Sequence, residues 1–398
     1  MAIANSDQLS LYYAVESTFG TPDAAATLEP FRFTSESLKK DTETVRSAEI
    51  TTDRQDADVA RVNESASGTL GYELSHSSFE TAIGMGVFQG AGSNANKGFT
   101  LKGAATTITA TTISFDAGTQ EIRDSANGFV SAGFAVGDWV ACSGTASHND
   151  LYQLSTVAAG AMTLVGGQAA VVNESAGASM TVENAKFVEN GVTQRSFSFE
   201  KRYGDLSATD EFVQYPGMVF NTMSLNVQPG AIVTGEFGLL GKTEQDGGGS
   251  SYGAGDAAVS TTNVINATGN VTAVLEAKAA FTVTGLTVEI TNNGEALNEV
   301  ASLGAIDIAS GKFQVSGTLT LFLRDKAFLE KYRGFTETEL SIRFRDAAGN
   351  NNVLYLPRVI LSDGGGTASG QNTRISAEFS FETAKDQTIG KTARWVVE

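Results

Sequence analysis

The chain has 398 residues, with 45 Asp and Glu against 27 Lys and Arg, for a net charge of −18. A single cysteine, Cys142, rules out an internal disulfide and a cysteine-based zinc site, and two histidines, His76 and His148, are too few for a multi-histidine metal centre. So acidic a surface repels nucleic acid and keeps a concentrated protein soluble, and no apolar run approaches the roughly 20 residues of a membrane helix.

Charged residues are only 18% of the chain; Gly (43), Ser, Thr, Ala and Asn replace them, and there are 5 Pro. That composition suits many short strands and tight turns. The opening stretch, MAIANSDQLSLYYAVESTFG, lacks the basic and apolar regions of a signal peptide, so the product is expected in the cytoplasm when made. Residues 30–62 carry mixed charge and almost no apolar core positions: Lys39, Lys40, Asp41, Glu43, Arg46, Glu49, Asp53, Arg54, Asp56, Asp58 and Arg61. They read as a long loop, and a loop of about thirty residues in a compact domain implies pairing with something outside it. Ser77–Ile83 predicts a short helix, with a capping box from Ser77 to Glu80 and a Phe79/Ile83 pair.

Residues 95–190 differ in character, being rich in Ala, Thr, Ser and Gly with four basic residues, Lys97, Lys102, Arg123 and Lys186. The strands implied around Gly133–Thr145, Tyr152–Val157 and Met162–Val165 point to a small β-barrel or Ig-like domain inserted into the main chain. Cys142 alternates with Trp139 and Val140 there, which predicts a buried, inert thiol. Further on, Phe197–Phe199, Met223–Val227, Phe313–Leu323, Leu340–Phe344 and Phe379–Phe381 alternate with period 2, separated by turn signals such as Gln228-Pro229-Gly230 and Asn292-Asn293-Gly294. Residues 242–258 are flexible by composition. Asp325–Tyr332 predicts a second short helix with Asp325 as N-cap.

An internal repeat ties these segments together. Residues 67–79 and 316–328 share Ser-Gly-Thr-Leu, then Leu, then Phe, at the same spacing and an offset of 249. Each copy reads as a strand followed by a helix whose Phe packs back on the sheet; Val233–Leu240 is a weaker echo. The expected fold is therefore mainly β: a β-sandwich or tube-forming barrel with one or two short flanking helices, plus the insert. The expected division is 1–94 and 191–398 for the main β-domain and 95–190 for the inserted one.

No catalytic constellation emerges. Neither histidine lies in a nucleophile–base context, no G-x-S-x-G elbow precedes a helix, and the glycine clusters lack the ending of a phosphate loop. Asp53–Asp58 and Asp346–Asn351 depart from calcium-loop spacing. No cofactor or metal is expected, and the chain is read as a non-enzyme.

Glu16–Pro22, Phe31–Leu38, Ser67–Leu70, Gly311–Leu319 and Leu356–Val359 resemble the major tail tube proteins of long, non-contractile-tailed bacteriophages. These stretches frame roughly 300 residues and leave the insert outside. The resemblance implies a subunit that self-assembles, six to a ring, into stacked rings around a tape-measure protein, with tail-tip proteins as further partners. It implies assembly in the host cytoplasm, a final place in the virion tail, no membrane, and a lumen through which DNA passes without specific binding. On this reading the charged residues of 30–62, Lys39 to Arg61, reach a neighbouring ring, and Glu378 and Glu382 are candidates for facing the lumen. The alternative is a surface adhesin or virion decoration protein that grips a host glycan through the insert; its mark would be an exposed aromatic cluster there.

Overall fold

The computed structural model describes residues 5–398 apart from 51, 54, 102–105, 167–170, 207–210, 277–278, 325 and 368–373. Strands dominate, as the alternation requires. The principal ones in chain order are β1 (Leu9–Val15), β2 (Lys39–Arg46), β3 (Val59–Glu73), β4 (Phe197–Tyr203), β5 (Glu211–Val227), β6 (Thr234–Gly241), β7 (Gly285–Thr291), β8 (Gln314–Phe322), β9 (Thr338–Arg345), β10 (Asn351–Thr367) and β11 (Ser376–Thr383). Antiparallel pairing sets them side by side as β2-β3-β6-β5-β7-β8-β11-β10-β9. β4 pairs with the first half of β5, and β1 with β4. Neither this sheet nor the smaller one described below closes into a barrel among the described residues.

The repeat seen in sequence is a duplication of the whole pairing scheme. In the first unit β3 pairs with β6, setting Leu70 opposite Phe237; in the second β8 pairs with β11, setting Leu319 opposite Phe379. Glu236-Phe237 and Glu378-Phe379 are thus equivalent. β5 and β10 are both 17 residues long, carry Pro216 and Pro357 at equivalent places, and bulge at Phe220/Thr222 and Leu361/Asp363. A bulge bends a strand, so each long strand joins different neighbours in its two halves. Aromatic packing repeats too. Phe31 contacts Phe79 with ring centroids 5.5 Å apart, and Phe281 contacts Phe328 at 5.2 Å. The repeated glycine has a steric reason: a Cβ on Gly317 would lie 2.5 Å from the Phe381 ring directly across the ladder, and one on its counterpart Gly68 would lie 2.7 Å from the Leu38 backbone.

The element after the repeated strand differs between the units. In the second it is an α-helix, Ala327–Gly334, entered through Lys326 without a side-chain cap; the expected cap, Asp325, lies outside the described residues. In the first it is a π-helical turn, Thr81–Val87, later than the expected Ser77–Ile83. Ser77 has φ +58, which breaks the helix before it starts, and no capping box forms. The turn is buried throughout, with Phe79 in the core beside it. The stretch 242–258, expected to be flexible, contributes a short strand, Gln245–Gly248, on β5.

The largest departure is at 30–62. It is not a loop: β2 pairs with the first half of β3 from Lys39 opposite Ser67 to Arg46 opposite Val59, leaving only Ser47–Asp58 as the tip of a long hairpin. Most of β2 and the start of β3 are exposed on both faces. A two-stranded ribbon with no core face has no apolar period, which is why alternation failed to find it.

Seven further strands lie between Thr107 and Asn184 and form a second sheet with its own core, including Ile113, Ile122, Phe129, Tyr152 and Met162. The chain enters and leaves this unit side by side, Asn184 N–H donating to Thr106 C=O at 3.0 Å. It is tied to the main sheet by a small apolar patch, Trp139, Leu151, Val353 and Val396 among others. Within that contact the buried Arg343 guanidinium holds Asp150 in a close ion pair and donates to Asn351 Oδ1 at 2.9 and 3.0 Å.

Candidate assembly surfaces

Three surfaces carry the chemistry that composition advertised. The first is the β2–β3 hairpin. At its base Lys40 Nζ lies 2.7 Å from Glu64 and Arg61 3.3 Å from it, while the Thr243 hydroxyl donates to Glu64 at 2.7 Å. Burial pushes the Glu64 carboxyl up, but the bonds from Lys40 and Thr243 outweigh it and hold the group below the usual glutamate range. Lys39 and the Ser67 hydroxyl similarly depress Asp41, at 2.9 Å each. Arg46 and Asp56 pair closely across the tip. Among the described residues Glu43, Glu49, Asp53 and Asp58 form no ion pair, the last two accepting only local backbone N–H groups. Arg54 lies outside the described residues. Between these charges four aliphatic side chains face solvent: Val45, Val59, Val62 and Ile50, the last 97% exposed.

Because Glu64 has a depressed folded pKa, its contribution is fully present above the unfolded value of about 4.3 and is lost as pH falls through the folded one. Acidification is expected to loosen the hairpin base, raising amide exchange in Lys39–Glu43 relative to β5 and β8. Glu64→Gln should flatten that pH dependence; an unchanged profile in the variant would exclude this cause.

The second surface is the outer face of β3-β6-β5-β7-β8-β11. Its core side holds Phe237, Leu225, Val288, Leu319 and Phe379, so alternation sends Ser, Thr and Glu to the other side. Hydrogen-bonded register lines up one transverse row: Glu236 (β6), Ser224 (β5), Glu289 (β7), Ser316 (β8) and Glu382 (β11). Strands lie about 4.8 Å apart, so successive glutamates sit about 9.6 Å apart with a serine between. That spacing lets all three stay ionised at modest mutual cost in water. All three are exposed, as is Glu378 nearby on β11, and none has an ion-pair partner among the described residues. From β6 to β11 these strands carry no lysine or arginine on this face. Glu378 and Glu382, singled out from sequence, thus lie on it; Glu236 and Glu289 were missed. The Glu-Phe match within the repeat would have found the first.

The third is the unit of Thr107–Asn184. Its aromatic residues Phe129, Phe134, Tyr152 and Trp139 are buried, the last in the contact with the main sheet. His148 is wholly buried, stacked on Phe115 with centroids 3.9 Å apart; its Nε2 accepts from Val172 N–H at 3.1 Å and its Nδ1 meets Glu174 at 2.8 Å. Both ring nitrogens are therefore used in holding a turn. Cys142 is buried in a strand, and burial pushes its thiol well up, leaving it inert as expected. No helix among the described residues is long and apolar enough to cross a membrane.

Among curated proteins none matches the chain. A family model described as phage tail tube protein matches residues 6–383, which span both repeated units and the sheet between them. An acidic, lysine-free sheet face, long strands with unpaired edges and a projecting hairpin are features that a tube-wall subunit can use, and the chain belongs to the phage tail tube protein family, a structural component of the virion tail.

Proposed function

We propose that copies of this chain join into rings that stack as the tail tube, with the polar face of β3-β6-β5-β7-β8-β11 turned to the lumen. The observation that carries this is the row Glu236–Glu289–Glu382, in register across five strands and without an ion-pair partner among the described residues. A wall of spaced carboxylates and hydroxyls repels phosphate and gives DNA nothing to bind, so it slides. The β2–β3 hairpin, with Lys39, Lys40, Asp41, Glu43, Arg46 and Arg61 along it and Ile50 at its tip, reaches the adjacent ring. Tape-measure and tail-tip proteins are the further partners of such a tube, and no cofactor enters its work.

Electron microscopy of the assembled protein tests the reading: hollow tubes are expected, and a chain that stays monomeric at high concentration with tail-tip partners supplied would overturn it. The lumen assignment has its own test. Tubes of the Glu236→Lys/Glu289→Lys/Glu382→Lys variant should retain double-stranded DNA at low salt and release it as salt rises, whereas wild-type tubes retain none. Equal retention by both would place this face elsewhere.

We further propose that the unit Thr107–Asn184 is a separately folded domain on the outside of the tube. Its adjacent entry and exit points support this. Joining Thr106 to Ala185 through a short Gly-Ser linker should leave tube formation intact. Loss of tubes, with the main sheet still folded by circular dichroism, would make the domain part of the wall. An adhesive role for it finds no exposed aromatic cluster among the described residues.

A further inference from the structure

The duplication has a geometric corollary at the two ends of the main sheet. Within one chain the two units meet where the second half of β5 pairs with β7: Thr222 opposite Thr291, Met223 opposite Ile290, Ser224 opposite Glu289 and Leu225 opposite Val288. Each partner has a counterpart in the other unit. The counterpart of β5 is β10, 141 residues on, fixed by the matched prolines and bulges. The counterpart of β7 is the strand formed by Ser35–Glu36 and β2, 250 residues earlier. Glu36 faces Leu70 as Leu286 faces Leu319, and Asp41 faces Ser65 as Thr291 faces Gln314. Neither counterpart has its second neighbour. Among the described residues β2 pairs only with β3, and Asp363–Thr367 of β10 pairs only with β11. Two open stretches of edge remain, Lys39 onward in β2 and Asp363–Thr367 in β10, and each has the form of half of an interface that the chain already makes internally. Just before β2 the edge is filled, the Leu38 C=O accepting from Lys201 Nζ and the Tyr215 hydroxyl at 3.1 Å each.

We infer that the edge of β2 in one copy adds to the second half of β10 in the next, repeating the β5–β7 register: Asp41 opposite Asp363, Lys40 opposite Gly364 and Lys39 opposite Gly365, ending before Leu38, whose C=O is bonded within its own chain. This rests on the tube reading above and names its partner surface, a second copy of this chain. Charge favours it. In the internal interface Glu236, Ser224 and Glu289 stand in a row; the equivalent row across two copies is Glu378, Gly365 and Lys39. Two like charges flank a serine in the first, and opposite charges flank a glycine in the second. Gly365 has no side chain to keep Lys39 from Glu378, and both of those are exposed. Lys39 also lies diagonal to Asp363, between it and Asp41, which offsets the one like-charged pair. Different patches meet in this contact, so it is heterologous and propagates until the ring closes. A ring of n chains then presents 2n units to the lumen, and a six-unit wall closes with three chains.

Cysteine cross-linking tests the register. Lys39→Cys and Gly365→Cys, made in separate preparations and oxidised, should each stay monomeric on a non-reducing gel and give a dimer when mixed before assembly. The double variant should give a ladder that ends at the ring number; buried Cys142 does not compete. Charge reversal gives an independent readout. Lys39→Glu should reduce ring formation at least tenfold, and Lys39→Glu/Glu378→Lys should restore it. Tubes that form without these cross-links, or a Lys39→Cys preparation that cross-links to itself, would overturn the inference while leaving the tube reading standing. Wild-type protein that forms neither rings nor tubes would overturn the tube reading, and this inference with it.

Discussion

Replacing Asp150 by alanine is expected to destabilise the contact between the Thr107–Asn184 unit and the main sheet by about 3–5 kcal/mol. The carboxylate is buried and holds two guanidinium groups, Arg343 in a close ion pair and Arg345 at 3.3 Å. Arg343 is itself buried, and burial alone pushes its pKa down, with Asp150 as the chief counterweight. Removing Asp150 strands that cation among Asn351, Glu398 and the apolar patch of Trp139, Leu151 and Val353. The loss is thus mainly the penalty of an uncompensated buried charge. Asp150→Ala/Arg343→Leu should therefore recover much of it, since replacing both partners of a buried pair by apolar groups is often near neutral. Denaturant titration followed by the fluorescence of Trp139 at this contact, with a Trp395→Phe background, reads the effect. A double variant no better than the single would assign the loss to geometry instead of charge.

Phe237→Ala should cost about 3–5 kcal/mol, measured as a fall in urea midpoint at constant slope. Phe237 is fully buried and meets four rings: Tyr72 stacked at 4.5 Å, Phe220 at 5.5 Å, Phe31 at 5.9 Å and Phe79 at 6.1 Å. Those rings come from a loop, two neighbouring strands and the segment before the π-helical turn, so the cavity cannot close by moving one of them. Among the described residues its counterpart Phe379 meets two rings, Phe328 and Tyr332, at 5.9 and 6.5 Å. Those two sit on a short surface helix, which can settle into the gap. Phe379→Ala should consequently cost less, and equal losses at both sites would show that the two units pack alike.

Much of this was legible in the chain. Period-2 alternation located β5, β8 and β11 because each has one face in the core, and burying that face dictates which residues point inward. Glycine spacing exposed the duplication because a Cβ against the Phe381 ring or the Leu38 backbone has nowhere to go. The charged stretch 30–62 was misread because a ribbon wet on both faces obeys no apolar period; its hydrogen bonds, not its side chains, make it a strand. The row Glu236–Glu289–Glu382 and the pair Arg343–Asp150 were out of reach for a different reason. Each depends on which strands, 53 to 193 residues apart, become neighbours, and on a register set by bulges at Phe220 and Leu361. Local propensity makes strands; only their closure against one another decides which carboxylates share a row and which edges are left for the next copy.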